Sequence, residues 1–196
     1  MKHQEFYDKQ LHENNLEINQ VGWHDSHKAI KRYIFAKDLI NKNGNGKIVD
    51  VGCGLGTLCD LIPDCKYLGV DIYKPYIEKA IEKYGNKFMC GNVEDVVSSL
   101  NILVDQYVSL GAYTIMDESI SNVEEYVFNE LRFMLATARK SVIVNGFHNV
   151  VDNQDYKYYH DINKLIKFSQ DYSHTHKCSI HIFSKYEFFL EFNFVP

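Results

Sequence analysis

Lys47-Ile-Val-Asp-Val-Gly-Cys-Gly-Leu-Gly-Thr57 decides the reading of this chain. Ile48, Val49 and Val51 mark a buried strand, and it runs directly into glycines at positions 52, 54 and 56. Glycines there let the chain turn tightly and bring backbone N–H groups against a ligand, with the positive end of the following helix behind them. The stretch reads as a cradle for a small molecule, although a glycine cluster in a strand-to-helix turn can also be purely structural.

Spacing narrows the ligand. A dinucleotide fingerprint requires G-x-G-x-x-G, and Thr57 stands where its last glycine would be. Further apolar runs follow in order. Tyr67-Leu-Gly-Val70 ends in Asp71, an acidic strand tip able to accept two hydrogen bonds from a ribose diol. Lys87-Phe-Met-Cys90 leads into Gly91-Asn92-Val93-Glu94-Asp95, and Gln106-Tyr-Val-Ser-Leu110 ends at Gly111.

Asp50 followed by Gly52-x-Gly54-x-Gly56, with these later parts, resembles the class I S-adenosylmethionine-dependent methyltransferases over residues 47 to 115. The resemblance implies that Asp50, Gly52, Cys53, Gly54 and Gly56 surround the amino-acid end of the cofactor and that Asp71 holds its ribose. It places the adenine at Ile72, Asn92 and Val93, and the meeting point of methyl donor and acceptor at Gly111. Asn92 departs from the family's usual aspartate but can still hydrogen-bond an adenine amine. Val21-Gly22-Trp23 and His181…Tyr186-Glu-Phe-Phe-Leu190 resemble the family more loosely.

From Gly46 onward strand and helix signals alternate, which specifies a parallel sheet with helices on both faces. Leu58, Leu61 and Ile62 begin a helix limited by Pro63; Ile77, Ala80, Ile81 and Tyr84 mark a second. Val123, Val127, Leu131, Met134 and Leu135 mark a third, Ser141–Asn145 a fifth strand, and Ile162, Leu165 and Ile166 another helix. Cys178–Phe183 and Glu187–Phe194 are separated by only three residues, too few for a parallel crossover, so they form a hairpin. The expected fold is α/β: a Rossmann-like doubly wound, mostly parallel seven-stranded sheet with a C-terminal antiparallel hairpin. Residues 1–196 are read as one domain. Within it, 1–45 form an N-terminal helical cap or lid, 46–150 the cofactor-binding core, and 151–196 the C-terminal helix and hairpin. In the cap, Ser26 is the expected N-cap of a helix in which Ile30, Tyr33, Ile34 and Ile40 fall on one face.

Bulk properties exclude several classes. With 196 residues and 45% hydrophobic content, the chain can bury a core. A formal charge of −5 argues against a grip on a long phosphate backbone, so nucleic acid is not the expected partner. Five cysteines without a C-x-x-C pair indicate neither a disulfide framework nor a thiolate zinc site. No apolar run approaches the roughly 18 residues that span a bilayer, so the expected setting is cytoplasmic and free of membranes.

The acceptor side is fainter. Ligands of open α/β sheets bind beyond the carboxyl ends of the strands. That rule selects Tyr113 and Asp117 after the fourth strand and His148 after the fifth as candidate catalytic residues, His148 as a general base if one is needed. Asp117 can equally complement a helix dipole. Tyr156, Tyr158, Tyr159 and His160 form an aromatic cluster that either lines an acceptor pocket or simply packs. His174, His176 and His181 lack a carboxylate at ligand spacing, and no metal is expected. The tetrad of amino-directed DNA methyltransferases and the Pro-Cys nucleophile of the cytosine-C5 type are both missing. Methyl transfer from S-adenosylmethionine to an unidentified small-molecule acceptor is the leading expectation. A non-catalytic methyltransferase-like binding or partner subunit and, less favoured, a nicotinamide-dependent oxidoreductase remain the alternatives, and the oligomeric state is not specified.

Overall fold

The computed structural model describes residues 3–13, 17–23, 25–115, 120–148 and 157–195. Its elements run α1 (His3–Glu13), α2 (Glu17–Gln20), α3 (Ser26–Lys42), β1 (Lys47–Val51), α4 (Thr57–Leu61), β2 (Lys66–Asp71), α5 (Lys74–Tyr84) and β3 (Phe88–Cys90). After these come α6 (Val93–Leu100), β4 (Val104–Leu110), α7 (Val123–Thr137), β5 (Ala138–Phe147), α8 (Ile162–Gln170), β6 (His176–Ile182) and β7 (Glu187–Phe194).

The strands form one sheet in the order β3-β2-β1-β4-β5-β7-β6. β1 pairs in parallel with β2 on one side and β4 on the other, so the direction of winding reverses between β1 and β4. β7 runs antiparallel to β5, with Val144 opposite Leu190, and antiparallel to β6, with Ile180 opposite Leu190. This is the mostly parallel seven-stranded sheet with a C-terminal hairpin that the order of apolar runs predicts, and β7 is the antiparallel strand.

Period-two alternation sorts the strand residues into two layers. Ile48, Val108, Ile143 and Phe189 meet Ala36, Leu39 and Ile40 of α3. Val49, Tyr107, Val142 and Leu190 meet Val96 and Val97 of α6, Val127, Leu131 and Met134 of α7, and Leu165 and Phe168 of α8. Both faces of the sheet are covered, which is why its strands read as near-continuous apolar runs.

Local details differ from expectation. Asp25, not Ser26, caps α3, its carboxylate accepting from the Lys28 N–H at 3.0 Å. Ile30 and Ile34 are half exposed because the buried face of α3 is set by Ala29, Arg32, Tyr33, Ala36, Leu39 and Ile40. Past Gly91, where the resemblance places the adenine, the chain is helical from Val93, with Asn92 as the cap of that helix.

Two buried ionisable arrangements follow from this packing. Arg32 donates from Nε and Nη2 to the two carboxylate oxygens of Glu187, tying α3 to the first residue of β7. The guanidinium lies 4.1 Å from the centre of the Trp23 ring. Asp50, near the carboxyl end of β1, is 3% exposed and accepts from the Tyr67 hydroxyl at 2.6 Å. Burial pushes its carboxyl up to about 7, the Tyr67 hydrogen bond opposing the rise and the Asp71 charge adding to it.

Removing one member of the Arg32–Glu187 pair leaves an uncompensated buried charge. Arg32→Ala or Glu187→Ala is therefore expected to cost about 3–5 kcal/mol in urea unfolding, and Arg32→Met with Glu187→Leu to recover most of it. Single losses below about 1 kcal/mol would show that water reaches the pair. For Asp50, the folded state holds the proton more tightly than the unfolded chain. Its contribution to stability is thus full below the ordinary value of 3.8 and lost as pH rises through about 7. The stability of Asp50→Asn relative to the parent is expected to rise between pH 4 and 7; a difference independent of pH would refute the burial of this acid.

Candidate functional site

The turn leaving β1 has left-handed backbone at Gly52, Gly54 and Gly56, with φ of 71°, 54° and 81°. Side chains rarely adopt such angles. Space is restricted as well: a Cβ at Gly52 would lie 2.4 Å from that of Ala112, in the turn after β4. Gly111, which begins that turn at φ 83°, has the Trp23 ring across it, 2.6 Å from where a Cβ would be. The two turns at the winding reversal are thus packed together, with Trp23 over one of them. The Trp23 ring contacts the β4 turn and Arg32 of α3 alike.

Asp71 joins the glycine turn to β2. One carboxylate oxygen accepts the Gly54 N–H at 2.9 Å and the other the Tyr73 N–H at 2.8 Å. Burial raises its pKa, and backbone donation from Tyr73, Gly54 and Ile72 counters the rise. Each oxygen keeps acceptor capacity for a further donor.

A cavity of about 350 Å³ lies over the carboxyl ends of the strands. Of the residues singled out from sequence, Gly52, Cys53, Gly54, Asp71, Ile72, Asn92, Val93, Gly111 and Tyr113 line it. Asp50 and Gly56 are not among the lining residues. Asp50 is covered by neighbouring strands and Tyr67, and a Cβ on Gly56 would face the Phe88 and Tyr84 rings. Asp117 and Tyr156 lie outside the described residues.

His148 does not line the cavity either. Its backbone N–H donates to the Tyr186 carbonyl at 3.0 Å, and its ring lies by the Ser184 carbonyl and Phe188, against the β6–β7 turn. The antiparallel pairing of β5 with β7, Phe147 opposite Glu187, carries it there. His160 is buried, its Nε2 3.1 Å from the Tyr113 carbonyl, and burial lowers its pKa to about 4. It is a neutral support of the β4 turn rather than an exposed base. Tyr159 lines the cavity, whereas Tyr158 packs edge-on against His160. His181 pairs with Glu191 at 3.0 Å and His176 packs on Phe194, so the two point to different partners.

Sequence reasoning missed several lining residues: Phe6 and Tyr7 of α1, Arg32, Glu187, and Glu130 of α7. Glu130 is 8% exposed and its pKa is raised, chiefly by burial. Asn92 Nδ2 donates to it at 3.1 Å and the Tyr113 hydroxyl lies 3.5 Å away. A signal existed, because Glu130 falls three residues after Val127 and four before Met134, on the apolar stripe of its helix. Asn92 itself caps α6, its Oδ1 accepting the Glu94 N–H at 2.8 Å.

No protein-family model matches the chain, and no curated protein matches it in sequence. Solved structures do match in shape. DhpI in complex with SAH superposes with a TM-score of 0.66 at 11% identity, covering 98% of this chain and 95% of that one. The magnesium protoporphyrin IX methyltransferase of Synechocystis PCC 6803 with bound SAH gives 0.64 at 14% identity, covering 97% and 94%. The small RNA methyltransferase HEN1 gives 0.65 at 16% identity, covering 86% of this chain but 25% of that protein. With the sheet order and the antiparallel β7, these likenesses show that the chain has the class I methyltransferase fold.

Proposed function

We propose that this chain is an S-adenosylmethionine-dependent methyltransferase acting on a small molecule. The observation that carries the reading is the gathering of Gly52–Gly54, Asp71, Asn92, Val93 and Gly111, from the ends of four consecutive parallel strands, around one cavity. Solved proteins of the same fold hold SAM or SAH.

The residues present fit that cofactor. Asp71 has acceptor capacity for a ribose diol, the glycine turn leaves no side chain at Gly52 or Gly54, and Gly111 leaves the end of β4 open except for Trp23. The bound cofactor supplies a sulfonium whose methyl group is already electrophilic. The protein's part is then to align the acceptor behind that carbon and to keep water out, and such positioning contributes about 7–11 kcal/mol in favourable models. Trp23, Phe147, Tyr159 and Tyr186 present aromatic surface to the cavity, which favours an acceptor with a flat or apolar body. A general base is optional in this scheme, and neither His148 nor His160 is assigned that role. Tyr113 is read as part of the pocket wall, its hydroxyl directed at Glu130.

Calorimetric titration tests the cofactor. S-adenosylhomocysteine is expected to bind and NAD not to. Asp71→Ala is expected to weaken S-adenosylhomocysteine by about ten- to a hundredfold, the loss for hydrogen bonds to a charged acceptor. Because Asp71 also holds the Gly54 and Tyr73 N–H groups, melting temperature is read in parallel. Undiminished affinity in a folded variant would remove Asp71 from the ribose. Turnover of a panel of small aromatic and aliphatic acceptors separates catalysis from mere binding. With an acceptor in hand, Phe147→Ala is expected to raise its KM about tenfold and leave S-adenosylhomocysteine affinity within about twofold, since burying one aromatic face contributes about 1–2 kcal/mol. An equal loss for both ligands would place Phe147 in the cofactor pocket instead.

A further inference from the structure

Asn92 stands where the methyltransferase resemblance expects an aspartate to meet the adenine, yet both ends of its side chain are engaged. Oδ1 caps α6 through the Glu94 N–H, and Nδ2 donates to Glu130. Glu130 comes from a different helix, lines the cavity, and is almost wholly buried. A carboxylate offers about four acceptor positions, and Asn92 with the Tyr113 hydroxyl addresses one on each oxygen. Acceptor capacity therefore remains on a group held at the cavity wall. Val123, Tyr126 and Val127, the other α7 residues of that wall, present no carboxylate. A buried carboxyl on an apolar helix stripe is costly unless it is hydrogen-bonded. Tying α6 to α7 through Asn92 alone would not require the group to face the cavity.

We infer that Glu130 reads the amino edge of the cofactor's adenine, its carboxylate accepting the 6-amino N–H while Asn92 and Tyr113 hold it in place. The inference rests on the proposed function and sharpens it. The acidic group that the resemblance places at the end of β3 is supplied from α7, and Asn92 is a positioning residue for it. A base with a 6-oxo group in place of the amine would bring an acceptor against the carboxylate. Such a base is rejected.

The test compares S-adenosylhomocysteine with S-inosylhomocysteine, its 6-oxo analogue, by calorimetry on the full chain. The parent is expected to favour the amino form by about a hundredfold or more, because a site built around a hydrogen bond penalises the ligand that lacks it. Glu130→Gln can donate to the oxo group, and the preference should narrow to within about tenfold. Equal binding of the two ligands by the parent, or an unchanged ratio in the variant, overturns the inference. If the parent binds neither ligand, the cofactor reading itself fails, an outcome distinct from binding without discrimination. The comparison on the parent needs no substitution. Should Glu130→Gln fail to fold, Tyr113→Phe, which removes one of the two contacts holding the carboxylate, is expected to weaken S-adenosylhomocysteine more than the analogue. An equal loss for both would again count against Glu130.

Discussion

The close approach of the turns after β1 and β4 is the constraint on which the site depends. The sheet winds outward in opposite directions from this pair of strands, so their carboxyl ends open a crevice that no crossover helix covers. The crevice stays narrow because glycine stands at Gly52 and Gly111, where a Cβ would collide with Ala112 or Trp23. Asp71 then fixes the depth of the turn by accepting the Gly54 N–H from the adjacent strand. Substituting either glycine would separate the turns and shift the Asp71 anchor, so local backbone geometry and pocket shape are one property here.

Buried polar pairs lie at or beneath that crevice in three places, each joining two different elements. Arg32 and Glu187 join α3 to the hairpin, Asn92 and Glu130 join the start of α6 to the middle of α7, and Tyr67 meets Asp50 between β2 and β1. Such pairs seldom improve stability over an apolar alternative of the same shape, but a mispaired partner is strongly penalised. Their effect is to select one arrangement of cavity walls among several an apolar core would accept. Arg32 shows the coupling: the guanidinium that satisfies Glu187 also supports Trp23, and Trp23 lies on Gly111.

Much of the fold was legible because the central strands are buried on both faces and each turn carries its own residue chemistry. The glycine turn, the acidic end of β2 and the three-residue link of the hairpin are local signals, and local signals survive without knowledge of contacts. The side walls of the cavity were less legible. Arg32 and Glu130 interrupt apolar helix stripes and could have been singled out on that ground. Glu187 has no such mark, since it opens a strand and its partner lies 155 residues away. His148 misled for a related reason. Its position after a parallel strand points to the pocket, but the chain turns toward the hairpin and the side chain faces Ser184 and Phe188. The cap of α3 was misplaced by one residue because Asp25 and Ser26 are both good caps and only the Lys28 hydrogen bond distinguishes them.

The acids also bear on the cationic cofactor proposed for this end of the sheet. Asp50 and Asp71 are both held above the usual carboxylate range, burial being the larger cause for each and the Asp71 charge adding to it at Asp50. Their negative charge is therefore expensive in the free protein. A ligand that brings an ammonium and a sulfonium toward the glycine turn supplies opposite charge where water has been excluded, and there the attraction is stronger than at an exposed surface. In the proposed methyl transfer, loss of the sulfonium charge would remove part of that attraction. Under that proposal, the buried carboxylates that weaken the empty fold favour a charged donor over its neutral-sulfur product.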